Sequence, residues 1–242
     1  MKRLFMIVLL VVLSAAGCAT QKAWVYSPND YSDKSFRTNK TAVVLPFQDA
    51  RQNANKNYVL MYLIPLMPFG WQTLDVPEGQ QMHIFSGMWT NYKPSEDYPK
   101  ALAEELTNAN IFDEAYFDFK KGNSDILIKG KILSSKYHGK MITYGLSAYG
   151  PLLWFFGFPA GTVCNELSVE LSVIDSKSDE IIFSNTYTAP KYSRTGWIYV
   201  MPNGFNYPGM LKGIYKNFIE DIKTHLSEIS PGNQEIKQQS IM

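Results

Sequence analysis

Apolar residues fall on every second position through Leu167, Val169, Leu171 and Val173, which predicts a strand over 162–175 with one buried and one wet face. The turn chemistry of Asp175-Ser176-Lys177-Ser178-Asp179-Glu180 follows it, and 181–188 returns as the hairpin partner. Upstream, Ile126, Ile128 and Ile132 lead a strand over 125–137, closed by a turn at Tyr137-His138-Gly139-Lys140. A short strand is expected at 115–119. The run Thr41-Ala42-Val43-Val44-Leu45-Pro46-Phe47 reads as a buried strand that opens the folded part. Between it and Pro94 lies a long irregular stretch. Tyr98, Leu102, Leu106 and Ala109 recur at helical spacing and predict an amphipathic helix over 97–110. Ser95 or Asp97 is its N-cap, and Pro99 sits in its first turn. Leu211, Ile214, Phe218, Ile222, Leu226 and Ile229 mark a second helix, stopped at Pro231-Gly232. The order predicts an α+β fold: a mainly antiparallel sheet, two amphipathic helices on one face, and long aromatic loop insertions.

The amino terminus has a different pattern. Met1-Lys2-Arg3 precedes an unbroken apolar run over 4–13, then small residues, the layout of an export signal. Residues 4–17 fall short of the ~20 apolar residues that span a bilayer. The run closes on Leu13-Ser14-Ala15-Ala16-Gly17-Cys18, which resembles the lipobox of bacterial lipoproteins. The resemblance implies removal of 1–17 and acylation of Cys18, which then holds the protein to a membrane. Ala19 stands where Asp would signal inner-membrane retention, which implies the outer membrane, facing the periplasm. In a source with a single membrane it implies the cytoplasmic-membrane surface. The polar residues 18–40 read as a flexible tether, 41–230 as a single α+β periplasmic domain, and 231–242 as a disordered tail.

Several short motifs carry a second resemblance. Ala42-Val43-Val44-Leu45-Pro46-Phe47, the helix ending Asn110-Ile111-Phe112, Asp125-Ile126-Leu127-Ile128-Lys129-Gly130 and Leu171-Ser172-Val173-Ile174-Asp175 look like a periplasmic α/β domain. That domain is shared by the curli-secretion lipoprotein, a penicillin-binding-protein activator lipoprotein and the amino-terminal domain of the Tol-system propeller protein. The resemblance implies a protein-interaction or assembly module.

Charge and candidate chemistry add mainly exclusions. A net charge of +1 with 19% charged residues leaves no footprint for nucleic acid. With Cys18 acylated, Cys164 is the one remaining thiol, so no disulfide forms within the chain, and it reads as a small buried hydrophobe. His83, His138 and His225 each lack a second ligand at metal spacing, so neither a metal nor a cofactor is expected. There is no nucleophile elbow and no phosphate loop, and the chain reads as no enzyme. Asp49 and Arg51, just past the first strand, could orient a ligand. Alternatively Asp49 caps the turn while Arg51 pairs with a nearby carboxylate.

Two loops break the rule that loops are polar. Residues 58–71 include Tyr62, Phe69 and Trp71, and 149–159 include Trp154, Phe155, Phe156 and Phe158. Burying the last four would remove ~600–1000 Å² from water, on the order of 15–25 kcal/mol as an upper bound. Something covers them: each other and the core, a partner protein, or lipid headgroups. Trp197, Ile198, Tyr199 and Val200, with Phe205 and Tyr207, extend the same surface. The expected function is a non-catalytic, membrane-anchored component of an envelope system that acts by interaction or assembly with a further envelope protein. The alternatives are a ligand- or lipid-binding accessory of an envelope transporter and an oligomeric secretion-channel component.

Overall fold

A computed structural model describes residues 21–22, 24–32, 36–52, 55–75, 82–84, 87–89, 92–200 and 204–229. The expected signal peptide, Cys18 and the tail over 231–242 lie outside them. The early strands are β1 (Gln21–Lys22), β2 (Thr41–Val44), β3 (Gln48–Asp49), β4 (Lys56–Tyr58), β5 (Phe69–Leu74), β6 (Met82–Ile84) and β7 (Gly87–Trp89). After helix α1 (Pro94–Ala109) come β8 (Glu114–Phe117) and β9 (Ile126–Ile142). A short helix α2 (Pro151–Phe155) leads to β10 (Gly161–Asp175), β11 (Ile181–Thr188), β12 (Tyr192–Gly196) and α3 (Tyr207–Ile229).

The fold is α+β with a mostly antiparallel mixed sheet, as the pattern predicts. Two long strands, β9 and β10, pair along their whole length and are shared by two halves of the sheet. In the base, the order is β11-β10-β9-β2-β8, and β2 runs parallel to both of its neighbours. In the arm, β12 pairs with the start of β10 and β5 with the end of β9, and β4 pairs with β5. The halves meet where Ser168 faces Ser134 but Val169 faces Ile132, so Leu133 is an extra residue on β9. This bulge shifts the inward positions of β9 from even (Ile128, Ile132) to odd (Ser135, Tyr137) numbers, keeping the same face inside.

Both long helices cover one face of the base. Ala42, Val44, Ile126, Ile128, Val169 and Leu171 meet Leu102 and Leu106 of α1 and Leu211, Ile214 and Phe218 of α3 in one core. Val43, Leu127 and Ile174 form a small cluster on the other face. Helix α1 starts earlier than predicted. Pro94 is its first residue, and the Lys93 N–H donates to Asp97 Oδ2 at 2.8 Å. Pro99 has no N–H for the Ser95 carbonyl, which instead accepts from the Phe47 N–H at 2.9 Å and ties the helix to the link between β2 and β3. Asn110 takes the left-handed conformation, φ 55°, that ends the helix.

Three expectations for strands and loops are corrected. The stretch over 48–94 is not irregular, since it supplies β3 to β7. The expected turn at Tyr137 to Lys140 lies within β9; Gly139 serves close approach, because a Cβ there would lie 2.5 Å from the Tyr137 hydroxyl. The strand expected over 41–47 stops at Val44.

From Trp24 onward the expected tether is part of the fold. Trp24, Tyr26, Tyr31 and Phe36 pack on the core. Trp24 lies 5.5 Å from the Tyr98 ring and 6.1 Å from those of Tyr92 and Phe205. Glu105 of α1, wholly buried, accepts hydrogen bonds from the Tyr26 and Tyr31 hydroxyls and from the backbone and side-chain N–H groups of Asn29. Asn29, one of the polar residues that make the segment look solvated, is among the groups that satisfy this carboxylate.

Candidate functional site: an apolar tip on the arm

The arm extends β9 and β10 beyond the helices, and three connections meet at its end. Residues 59–68 lead into β5, whose Phe69 is opposite Ile142; 143–160 join β9 to β10; and 197–200 follow β12, whose Gly196 is opposite Gly161. Backbone bonds hold them together. The Pro68 carbonyl accepts from the N–H groups of Thr143 and Tyr144 at 2.8 and 3.0 Å. Leu66 N–H donates to Gly145 O at 3.0 Å, Ser147 Oγ to Leu63 O at 2.5 Å, and Ala160 N–H to Gly196 O at 2.7 Å. Gly70 is required where β5 passes the Val59 carbonyl, because a Cβ would collide with it. Leu66, Tyr144 and Ser147 hold φ of 71°, 59° and 51°, backbone that non-glycine residues adopt only when the surroundings enforce it.

The loops cover each other only in part. Trp154 is 8% exposed and its Nε1–H donates to the Ile142 carbonyl at 2.8 Å, so it is core and not contact surface. Its neighbours Phe155 and Phe156 are 59% and 78% exposed. Leu66 at 88%, Tyr149 at 74% and Tyr199 at 75% extend the apolar surface, with Leu60, Leu152 and Val200 also exposed. Phe158 is exposed with its ring against Tyr144, 5.6 Å between centroids. Tyr62, Phe69 and Trp71 are half-buried, and Trp71 packs 5.1 Å from Tyr58 and 5.8 Å from Phe69. Phe205 and Tyr207 do not join this surface; both are buried beside Trp24 and Tyr92. Much of the aromatic surplus is thus core.

Leu60, Leu66, Tyr149 and Leu152 lie inside the two aromatic loops that the sequence marks, although aromatic content alone does not single them out as the outermost residues. The absence of charge marks the two segments that carry these four. Residues 57–74 and 141–165 contain no Asp, Glu, Lys or Arg. Cations follow directly behind. Lys140 lies 5.0 Å from the Phe69 ring, Arg194 lies 5.4 Å from that of Tyr192, and Lys56 begins β4.

Asp49 and Arg51 form a clamp elsewhere. The Arg51 side chain, 2% exposed, donates to Asp49 Oδ1 and Oδ2 at 2.8 and 2.5 Å and to Ser135 Oγ at 2.6 Å. Asp75 accepts from Ser135 N–H at 3.1 Å, and burial pushes its pKa up despite Arg51. The arrangement joins β3 and the end of β5 to β9 at the junction of base and arm, which is the pairing role.

Cys164 lies directly across from His138 on the outer face of the arm, a juxtaposition the sequence separation hides. Burial pushes the Cys164 thiol up, away from the thiolate that nucleophilic chemistry needs. His138 instead bonds Thr73 Oγ1 through Nδ1 at 2.8 Å. His225 stacks on Phe183 at 4.8 Å, and His83 lies in β6. Among the described residues no group of three His, Cys, Asp or Glu could hold a metal, and no helix is long and apolar enough to cross a membrane. A surface groove of about 580 Å³, bordered by Pro28, Lys100, Asn108 and Phe117, lies between α1, β8 and the amino-terminal segment, apart from the aromatic loops.

No family model and no curated protein matches the chain in sequence. Among solved structures, protein XCC0632 of Xanthomonas campestris is similar at a TM-score of 0.49 and 8% identity, over 87% of this chain and 99% of that one. The hypothetical protein CT253 of Chlamydia trachomatis gives 0.37 and 7%, over 78% and 98%. Lipoprotein GNA1162 of Neisseria meningitidis gives 0.33 and 8%, over 75% and 99%. Similarity at these levels defines neither a family nor a function for this chain.

Proposed function

We propose that this chain is an acylated lipoprotein of the bacterial envelope that acts without catalysis, as an interaction or assembly component whose working surface is the tip of the arm. The observation that carries the reading is the exposed set Leu66, Tyr149, Phe155, Phe156 and Tyr199, held outward by hydrogen-bonded loops instead of collapsing onto the core. Apolar patches of this kind mark partner or membrane contacts. The lipobox at 13–18 supports attachment through Cys18, and Ala19 supports an outer-membrane location facing the periplasm. Wild-type protein is expected to take up labelled fatty acid and Cys18→Ser to take up none. Wild-type protein that carries no label at residue 18 would remove the lipoprotein reading.

A further inference from the structure

We propose that the tip occupies the headgroup region of the same lipid leaflet that holds the acyl chains of Cys18, so the domain lies against its own membrane at two points. The inference rests on the contact-surface reading and names what the surface contacts. The first argument is chain length. Trp24 is fixed among Tyr92, Tyr98 and Phe205, so Cys18, six residues earlier, lies within ~20 Å of it however the chain runs. Neighbouring Gly204 accepts from Asn165 Nδ2 at 3.2 Å, which sets this aromatic cluster level with Asn165 of β10. From there to Gly161, where the arm reaches the tip loops, is four residues of strand, about 13 Å. Six residues of chain are therefore enough for Cys18 to come level with the start of the tip loops, with little to spare.

The chemistry of the tip fits that surface. Its loops carry no charge over 57–74 and 141–165, Tyr149, Tyr199 and half-exposed Trp197 supply the amphipathic rings of a membrane interface, and Lys56, Lys140 and Arg194 stand behind them at the level of anionic phosphates. Interfacial binding of this kind scales with buried apolar area plus attraction to anionic lipid, and stable attachment is strengthened by a second signal beside an acyl chain.

The test uses the mature chain, residues 18–242, with Cys18→Ser so that acyl chains cannot mask the contact; every described residue is retained. Vesicles of phosphatidylethanolamine and phosphatidylglycerol are expected to carry the protein upward in a flotation gradient. Phe155→Ser with Phe156→Ser should lower the bound fraction at least ~tenfold while leaving the melting temperature unchanged. If that pair disturbs folding, Leu66→Asn with Tyr149→Ser reads the same surface from the facing loops. Cys18→Ser protein with an intact tip that stays at the bottom, or that floats as well with either pair as without, overturns the lipid contact. A dimer in sedimentation that the same pairs abolish, without flotation, also overturns it but leaves the contact-surface reading standing.

Discussion

Glu105→Ala is expected to destabilise the protein by on the order of 3–5 kcal/mol and to release the amino-terminal segment from the core. The carboxylate is fully buried and gathers four donors from Tyr26, Asn29 and Tyr31. Removing the shared acceptor strips this partner from all four, although the Asn29 amide keeps its bond to the Lys212 carbonyl at 3.0 Å, and each buried donor left unsatisfied costs ~1–3 kcal/mol, part of which relaxation and water recover. Burial and Glu105 push both tyrosine hydroxyls up, so they remain protonated donors. Glu105→Gln should recover only part of the loss, since its NH₂ would face donors with a donor. Denaturant midpoints give the magnitude, and protease sensitivity or amide exchange over 24–32 shows which segment opens. A variant within 1 kcal/mol of wild type, with 24–32 still protected, would mean that the segment is held by other contacts.

Three consecutive aromatic residues should respond in opposite ways. Trp154→Ala is expected to cost ~3–5 kcal/mol, the range for a large aromatic removed from a core, and it also orphans the Ile142 carbonyl. Phe155→Ala and Phe156→Ala should each stay within ~0.5 kcal/mol, because their rings stand in solvent. Melting curves of the three single variants decide the matter. Equal destabilisation by all three would place the whole loop in the core and leave no contact surface there.

How far the sequence reveals this arrangement depends on the range of the interactions involved. Helices α1 and α3 and the hairpin of β10 and β11 are legible because each buries one face against a neighbour with an unbroken period. Strand β9 is legible only to Tyr137. Beyond it His138-Gly139 has turn composition, whereas Gly139 is there to let the Tyr137 ring lie alongside. The segment from Trp24 reads as a tether because Glu105, the partner that orders its polar groups, is more than seventy residues away. In the aromatic loop, composition identifies a candidate surface but not its facing. Trp154 turns inward for the Ile142 carbonyl while Phe156 turns outward, a choice made by loop backbone bonds that leave no mark in the local pattern. Arg51 and Asp49 show the reverse case, since their pairing is local and is one of the two readings that the sequence offers, whereas the link to Ser135 is not visible there.

The most direct test of the account is a photo-crosslinking side chain at position 156 in the full-length, acylated protein within the native envelope, with a second at Glu170 on the outer face of β10 in the base as reference. If the tip is the working surface, position 156 crosslinks to a defined envelope component, lipid or protein, while position 170 gives no such adduct. Crosslinks at 170 with none at 156 would contradict it, placing the working surface on the base and leaving the tip in water.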